Sequence, residues 1–415
     1  MTREEQMQLR AVCGNAFSPS APIDRMKLFA GRISQLHKIT DAVSTRGRHA
    51  IMYGDRGVGK TSLANILKDV FSAAPGMKIV RVNCSEQDTF RSAWMKALSE
   101  ITVFAEPQGR QHPQPPNPIE HTLDNFVHEV EQLGPGELRR LLARWSQPDF
   151  ELVLVFDEFD RIPESERSPF ADTIKDLSDN SVSTTIVLVG VADDVNDLFE
   201  EHASIERCLE QIFVPVMSSS ELHDIVAKAI SAAKMTIDSD AADLIVSLSQ
   251  GFPHYTHLIG QQSAFAAIER NQTHVSMEDV RLGIQASIDK SQQTIRDLYR
   301  RASQGQRKGT LYPQVLLACA LAETDDMGFF GSVDVREPLC RITNQDYDIP
   351  NFAQHLDKFS SDESRGPILE KSGIARRFRF KFRNPLLQPF IIMNGLTSGM
   401  VTGDLIAELK RNRAL

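Results

Sequence analysis

Residues 54–61 read GDRGVGKT, a full match to the eight-position pattern G-x-x-x-x-G-K-[ST], and this octapeptide restricts the fold more than any other segment. Gly54, Gly57 and Gly59 let the backbone turn so that its N–H groups converge, and a helix starting there adds its positive N-terminal end. The pattern works only between a strand and a helix. HAIMY at 49–53 and TSLANILKDVF at 61–71 have those periodicities, and the β-rich MKIVRVNC at 77–84 follows, which predicts a parallel β-α-β unit. A cradle of this kind takes phosphates. Lys60 is expected to reach the β- and γ-phosphates of ATP, and the Thr61 hydroxyl to bind Mg²⁺. Asp55, Arg56, Val58 and Ser62 complete the loop.

Three further apolar runs, ELVLVFDEFD (151–160), TTIVLVGVADD (184–194) and QIFVPVM (211–217), are short and separated by helical segments. Strands buried on both faces read this way. The run at 152–158 ends in two carboxylates, at the strand end where ligands bind in open α/β sheets. Asp157 is expected to hold Mg²⁺ through water, and Glu158 to orient and polarise the attacking water. Asp160 reads as a bystander starting the next turn. EPQGRQHPQPPNP (106–118) cannot continue a helix or a central strand and reads as an exposed insertion, followed by a helix around 121–133.

Beyond Met217 the strand signal stops and helices follow: SSSELHDIVAKAISAAK, with Ser220 or a neighbour as cap, then DSDAADLIVSLSQG and THLIGQQSAFAAIER. One or two long helices from Val275 lead to a mixed unit ending in ARRFRFKFR. There Phe378, Phe380 and Phe382 alternate with Arg377, Arg379, Lys381 and Arg383, which predicts one apolar face and, with Arg376, a row of cations on the other. Such a row fits a DNA phosphate backbone, or equally a solvated edge strand kept from aggregating by charge.

The expected organisation is an N-terminal arm at 1–24, an α/β core at 25–217, a helical lid at 218–300, a winged-helix domain at 301–395 and a C-terminal helix or tail at 396–415. The net charge of −9 gives no global attraction to nucleic acid, so DNA contact would need a local basic surface. Five scattered cysteines without a CxxC pair fit reduced thiols, and no run approaches a membrane span. A cytoplasmic protein with no membrane partner is expected.

LFAGR (28–32), GDRGVGKTS (54–62), LVLVFDE (152–158), VLVGVADD (187–194), SIERCLEQIFVP (204–215) and GFPHY (251–255) together resemble the AAA+ ATPases, more narrowly the initiator-type Orc1/Cdc6-like clade with a C-terminal winged helix. The resemblance covers about 25–290 well and the remainder loosely. It implies an α/β P-loop NTPase fold, with helices on both faces of a parallel sheet, then a helical lid and a winged-helix domain. It places Gly31 and Arg32 near the adenine, against the alternative of a capping turn and a surface arginine. It places a first sensor on Asp193, where the clade usually has a neutral residue; a carboxylate there repels a γ-phosphate unless protonated or bridged by a cation. It makes Arg207 an arginine finger acting in trans on a neighbouring subunit, hence a homo-oligomer, against the alternative of a local pair with Glu206 or Glu210. The lid lacks a sensor arginine, and Gly251-Phe252-Pro253 instead resembles the G-x-P motif of the signalling STAND NTPases. Pro253 then starts a helix and directs His254 at the nucleotide, unless His254 simply faces solvent.

Two functions follow from this resemblance. The first is an ATP-hydrolysing, oligomerising switch that binds ATP or ADP and acts on double-stranded DNA through its winged helix. The second is a STAND-like signalling or defence ATPase whose C-terminal domain binds a protein partner, a reading that the acidic pI of about 5.7 favours.

Overall fold

The computed structural model describes residues 1–71, 76–105, 119–122, 133–145, 151–195, 198–199, 205–304, 310–374 and 377–411. The first part of the chain runs α1 (Arg3–Ala16), α2 (Ile33–Val43), β1 (His49–Tyr53), α3 (Lys60–Phe71), β2 (Met77–Asn83), α4 (Phe90–Ser99), β3 (Thr102–Ala105), β4 (Ile119–Thr122), α5 (Pro135–Trp145), β5 (Glu151–Asp157), α6 (Ser168–Asp179), β6 (Thr184–Val189) and β7 (Leu209–Phe213). β1, β2, β5, β6 and β7 form a parallel sheet in the order β2-β5-β6-β1-β7. β3 and β4 pair antiparallel outside it.

The alternation along each strand explains the apolar runs. On β5, Val153 and Val155 enter one core while Leu152, Leu154 and Phe156 enter the other; on β1, Ala50 and Met52 divide from Ile51 in the same way. Because helices cover both faces, both sets of positions must be apolar. The core under α4, α5 and α6 centres on Trp94, which is fully buried and packs on Phe156 at 5.2 Å and Phe90 at 6.2 Å between ring centroids. Trp94→Ala is expected to cost about 3–5 kcal/mol, read as a lower denaturant midpoint at unchanged slope.

The second part is α7 (Ser219–Ala232), β8 (Thr236–Ile237), α8 (Ser239–Ser249), α9 (Pro253–Glu269), β9 (His274–Val275), α10 (Met277–Lys290) and α11 (Gln293–Ser303). Ser218 caps α7 in a reciprocal box with Glu221, so the cap is a neighbour of Ser220. Strands do not end at Met217: β8 and β9 pair in parallel, two residues each, too short to leave an alternation in the sequence. The expected helix around 121–133 is also corrected at its start, since His121 and Thr122 lie in β4; residues 123–132, like the Pro-rich insertion at 106–118, fall outside the described residues.

The last part is α12 (Tyr312–Ala320), β10 (Phe330–Gly331), α13 (Ser332–Thr343), α14 (Ile349–Ser361), β11 (Leu369–Ser372), β12 (Arg379–Phe382), α15 (Leu387–Thr397) and α16 (Gly403–Arg411), with a sheet in the order β10-β12-β11. The core on the α3 face of the main sheet continues through the lid helices into α12 and α15 without a break. The C-terminal unit is therefore packed on the lid rather than tethered to it. Among the described residues no helix is long and apolar enough to cross a membrane.

Candidate nucleotide site

The parallel order brings the C-terminal ends of β1, β5 and β6 to one edge of the sheet. The loop after β1 carries positive φ at Gly54 (143°), Gly57 (87°) and Gly59 (98°). At Gly54 a side chain is excluded outright, because a Cβ would stand 2.4 Å from the carbonyl oxygen of Val214. Lys60, 7 % exposed, turns back into this loop and donates to the carbonyls of Gly54 and Asp55, both at 2.8 Å. Burial draws its pKa down to about 8 against the opposing pull of Asp160, Asp55 and Asp157. A phosphate in the loop would add to that pull and hold the ammonium charged.

Asp157 ends β5 and is 2 % exposed. Its Oδ1 accepts the Glu158 N–H at 2.9 Å and its Oδ2 accepts Arg81 Nη2 at 2.7 Å. Glu158 stands in the left-handed region (φ 56°, ψ 37°), which swings its half-exposed side chain toward Arg161 Nη1 at 3.1 Å. Asp160 is more than a bystander: its Oδ1 accepts the Val191 N–H at 2.8 Å and ties the ends of β5 and β6 together.

These groups line a cavity of about 880 Å³. Arg56, Gly57, Val58, Gly59, Lys60, Thr61 and Ser62 form one wall, Asp157, Glu158 and Asp160 another, and Arg32, Pro253 and His254 close it from the lid side. Gly31, Gly54 and Asp55 stand behind this lining. The cavity suits a nucleotide in size, its backbone cradle leaves no room for a side chain at Gly54, and its polar groups converge. Among the described residues no cluster of three or more His, Cys, Asp and Glu side chains assembles; Thr61 and Asp157, the residues expected to hold a divalent cation, both line the cavity.

The model of the family described as Novel STAND NTPase 1 matches residues 21–258, more than half of the chain. The chain belongs to this family.

The matched segment holds the NTPase core and the start of the lid of this STAND protein, including Gly251-Phe252-Pro253. No curated protein matches the chain in sequence. Among solved structures it is similar to a Walker-type ATPase of Pyrococcus abyssi (14% identity, 91% of this chain and 99% of that one, TM-score 0.52). Lesser likenesses run to Cdc6p of Pyrobaculum aerophilum (15% identity, 95% and 98% covered, TM-score 0.45) and to the Aeropyrum pernix ORC1 protein, solved in complex with DNA (16% identity, 96% and 98% covered, TM-score 0.46). At these identities the likeness to the Pyrococcus protein concerns the fold alone, which is that of a P-loop NTPase.

The STAND chain's Arg32 corrects one alternative: it is no surface arginine. It is 3 % exposed, in the left-handed region (φ 60°), and its Nη2 donates to the carbonyls of Val58, at 2.9 Å, and Pro215. Its N–H meets Glu221 at 2.7 Å, so the capping-box partner of Ser218 also fixes the turn at Gly31. Burial lowers the Arg32 pKa to about 10 while Glu221 opposes. Its Nε is buried without a hydrogen-bond partner. His254 is half-buried rather than solvent-facing; its Nδ1 meets the Pro19 carbonyl at 2.8 Å, and burial lowers its pKa against that carbonyl's pull. The N-terminal arm supplies more of the wall than the sequence indicated, with Ser18 to Ile23 lining the cavity and the Ile23 N–H reaching Ser62 Oγ at 3.1 Å.

Other expected residues lie elsewhere. Arg207 is exposed and paired with Asp179, not with Glu206 or Glu210, and does not line its own chain's cavity. Arg376 lies outside the described residues. Arg377, Arg379 and Arg383 are exposed, but Arg379 pairs with Asp325 at 2.7 Å and Arg383 Nε donates to the Leu369 carbonyl at 3.2 Å. Lys381 corrects the row of cations: it is buried beside Phe380 and Phe382, paired with Asp55 and Asp193. Sequence reasoning also missed Arg81, whose guanidinium joins Asn65 of α3 to Asp157 of β5.

Proposed function

We propose that this STAND NTPase is an ATP-binding, Mg²⁺-dependent switch that hydrolyses ATP slowly and passes its nucleotide state to a protein partner through a C-terminal unit of winged-helix type. The observation that carries it is the cradle from Gly54 to Thr61, roofed by the lid and touched by the C-terminal unit. Backbone N–H groups and Lys60 bind the phosphates. Arg32 and Pro253 border the space left for the base, and Glu158 activates water. Mg²⁺, when bound, neutralises phosphate charge; Thr61 and Asp157 are the residues that would hold it. Calorimetric titration of the full chain with MgATP and MgADP tests the reading, and absence of any uptake defeats it.

Arg207 supports assembly. An exposed guanidinium held by one surface carboxylate is free to exchange that partner for a phosphate of a neighbouring subunit. Arg207→Ala is expected to cut steady-state turnover by about 10³-fold with ATP affinity retained; unchanged turnover at concentrations where the chain is oligomeric rejects the finger.

DNA remains the second reading, supported by the exposed Arg377, Arg379 and Arg383. Against it stand the pairing of Arg379 and the exposed positions of α14, where Asn351, Gln354 and Asp357 offer no cation and Asp357 already binds Lys371 at 2.6 Å. A gel shift across salt concentrations decides, since phosphate contacts weaken steeply with salt.

A further inference from the structure

Lys381 is the one lysine of β12, and its surroundings belong to three parts of the chain. Its Nζ lies 2.9 Å from Asp55 Oδ1 in the phosphate loop and 2.6 Å from Asp193 Oδ1 beyond β6, with the Phe329 ring centroid at 5.5 Å. Burial disfavours the ammonium, but hydrogen bonds to Asp193 and Asp55 outweigh it and hold Lys381 above the ordinary lysine range. A second contact comes from the same unit. Leu386 lines the cavity, its Cδ2 only 2.8 Å from where a Cβ on Gly57 would stand, and its carbonyl accepts the Tyr255 hydroxyl of α9 at 2.7 Å.

Asp55 and Asp193 are awkward neighbours for a polyanion. Asp55 belongs to the phosphate loop and pulls on Lys60; Asp193 sits two residues past Val191 on the cavity wall. Uncompensated, the two carboxylates repel phosphate, and a triphosphate more than a diphosphate. One buried cation bridging both removes that repulsion, and it is delivered by a domain distant in sequence from both.

We propose that Lys381 is a positioning residue of the nucleotide site: seated by the C-terminal unit, its ammonium neutralises Asp55 and Asp193 so that a triphosphate is accepted, which links ATP affinity to the seating of that unit. The inference rests on the ATP-binding reading above. Triphosphate binding favours the seated hairpin, and by reciprocity anything that pulls the hairpin away weakens ATP more than ADP.

The test is titration of the full chain with fluorescent ATP and ADP analogues. Lys381→Met, which keeps the length of the side chain and removes its charge, is expected to weaken ATP about tenfold and ADP less, with the loss shrinking as salt rises. Adding Asp55→Asn and Asp193→Asn to Lys381→Met is expected to return ATP affinity to within about threefold of the parent, because the repulsion has been removed with its counter-charge. Failure of that rescue in a chain whose melting temperature matches the parent overturns the proposal, as does tighter ATP binding in Lys381→Met, the sign expected if the contact only holds the site shut. A parent chain that binds neither nucleotide condemns the ATP reading itself, a result distinct from both.

Discussion

Lys60→Ala is expected to weaken MgATP binding by roughly a hundredfold, which corresponds to about 3 kcal/mol for a charged, desolvated contact to phosphate. The side chain is buried, and its ammonium is already oriented into the loop by the Gly54 and Asp55 carbonyls. Those two carbonyls are what the alanine would leave behind. They belong to a loop whose path is set by the positive φ of Gly54, Gly57 and Gly59, so the truncated site keeps its shape but loses its cation. Stability should move little or rise slightly, because burial holds the Lys60 pKa near 8. A group whose folded pKa lies below its unfolded value of about 10.4 destabilises the fold progressively as pH falls from above 10 to below 8, and that part vanishes in the alanine variant. Calorimetry for affinity and thermal melting at pH 7 and pH 10 separate the two effects. A variant that binds MgATP like the parent would remove the basis for the whole functional reading.

The sheet and its two carboxylates were legible because their signals are local. Strands buried on both faces produce runs such as LVLVF, and a phosphate loop needs its glycines and lysine at fixed spacing, so β1, β5 and β6 and the residues at their ends follow from the sequence. Lys381 shows where such reasoning stops. Alternation along ARRFRFKFR assigns the phenylalanines and the cations to opposite faces, but it does not say what covers the second face; in the fold that cover is the phosphate loop and the end of β6. Arg81 was hidden for the same reason, since a cation in MKIVRVNC looks like the polar side of a strand while its partners, Asn65 and Asp157, come from other elements. Arg32 followed a glycine in a turn, and its burial depends on the carbonyls of Val58 and Pro215. β8 and β9 failed differently: two residues are too few to show a period.

Glu158→Gln is expected to leave MgATP affinity within about threefold of the parent and to lower turnover by about 10²–10³-fold, the usual loss when a positioned general base is neutralised. Glutamine preserves the size of the side chain and a hydrogen-bonding oxygen, so the left-handed backbone turn that directs residue 158 into the cavity is untouched. What changes is charge. In the resting geometry Oε2 of Glu158 lies 3.1 Å from Arg161 Nη1, a pair open to solvent and therefore weakly held; the carboxylate can leave it for a water molecule, whereas an amide would gain nothing by doing so. Asp160 is the rival base, since it lines the same cavity, but its Oδ1 is committed to the Val191 N–H that joins β5 to β6. Single-turnover measurements on Glu158→Gln and Asp160→Asn therefore give opposite patterns under the two assignments. Slow chemistry in the first with near-parental chemistry in the second supports Glu158, and the reverse transfers the role to Asp160.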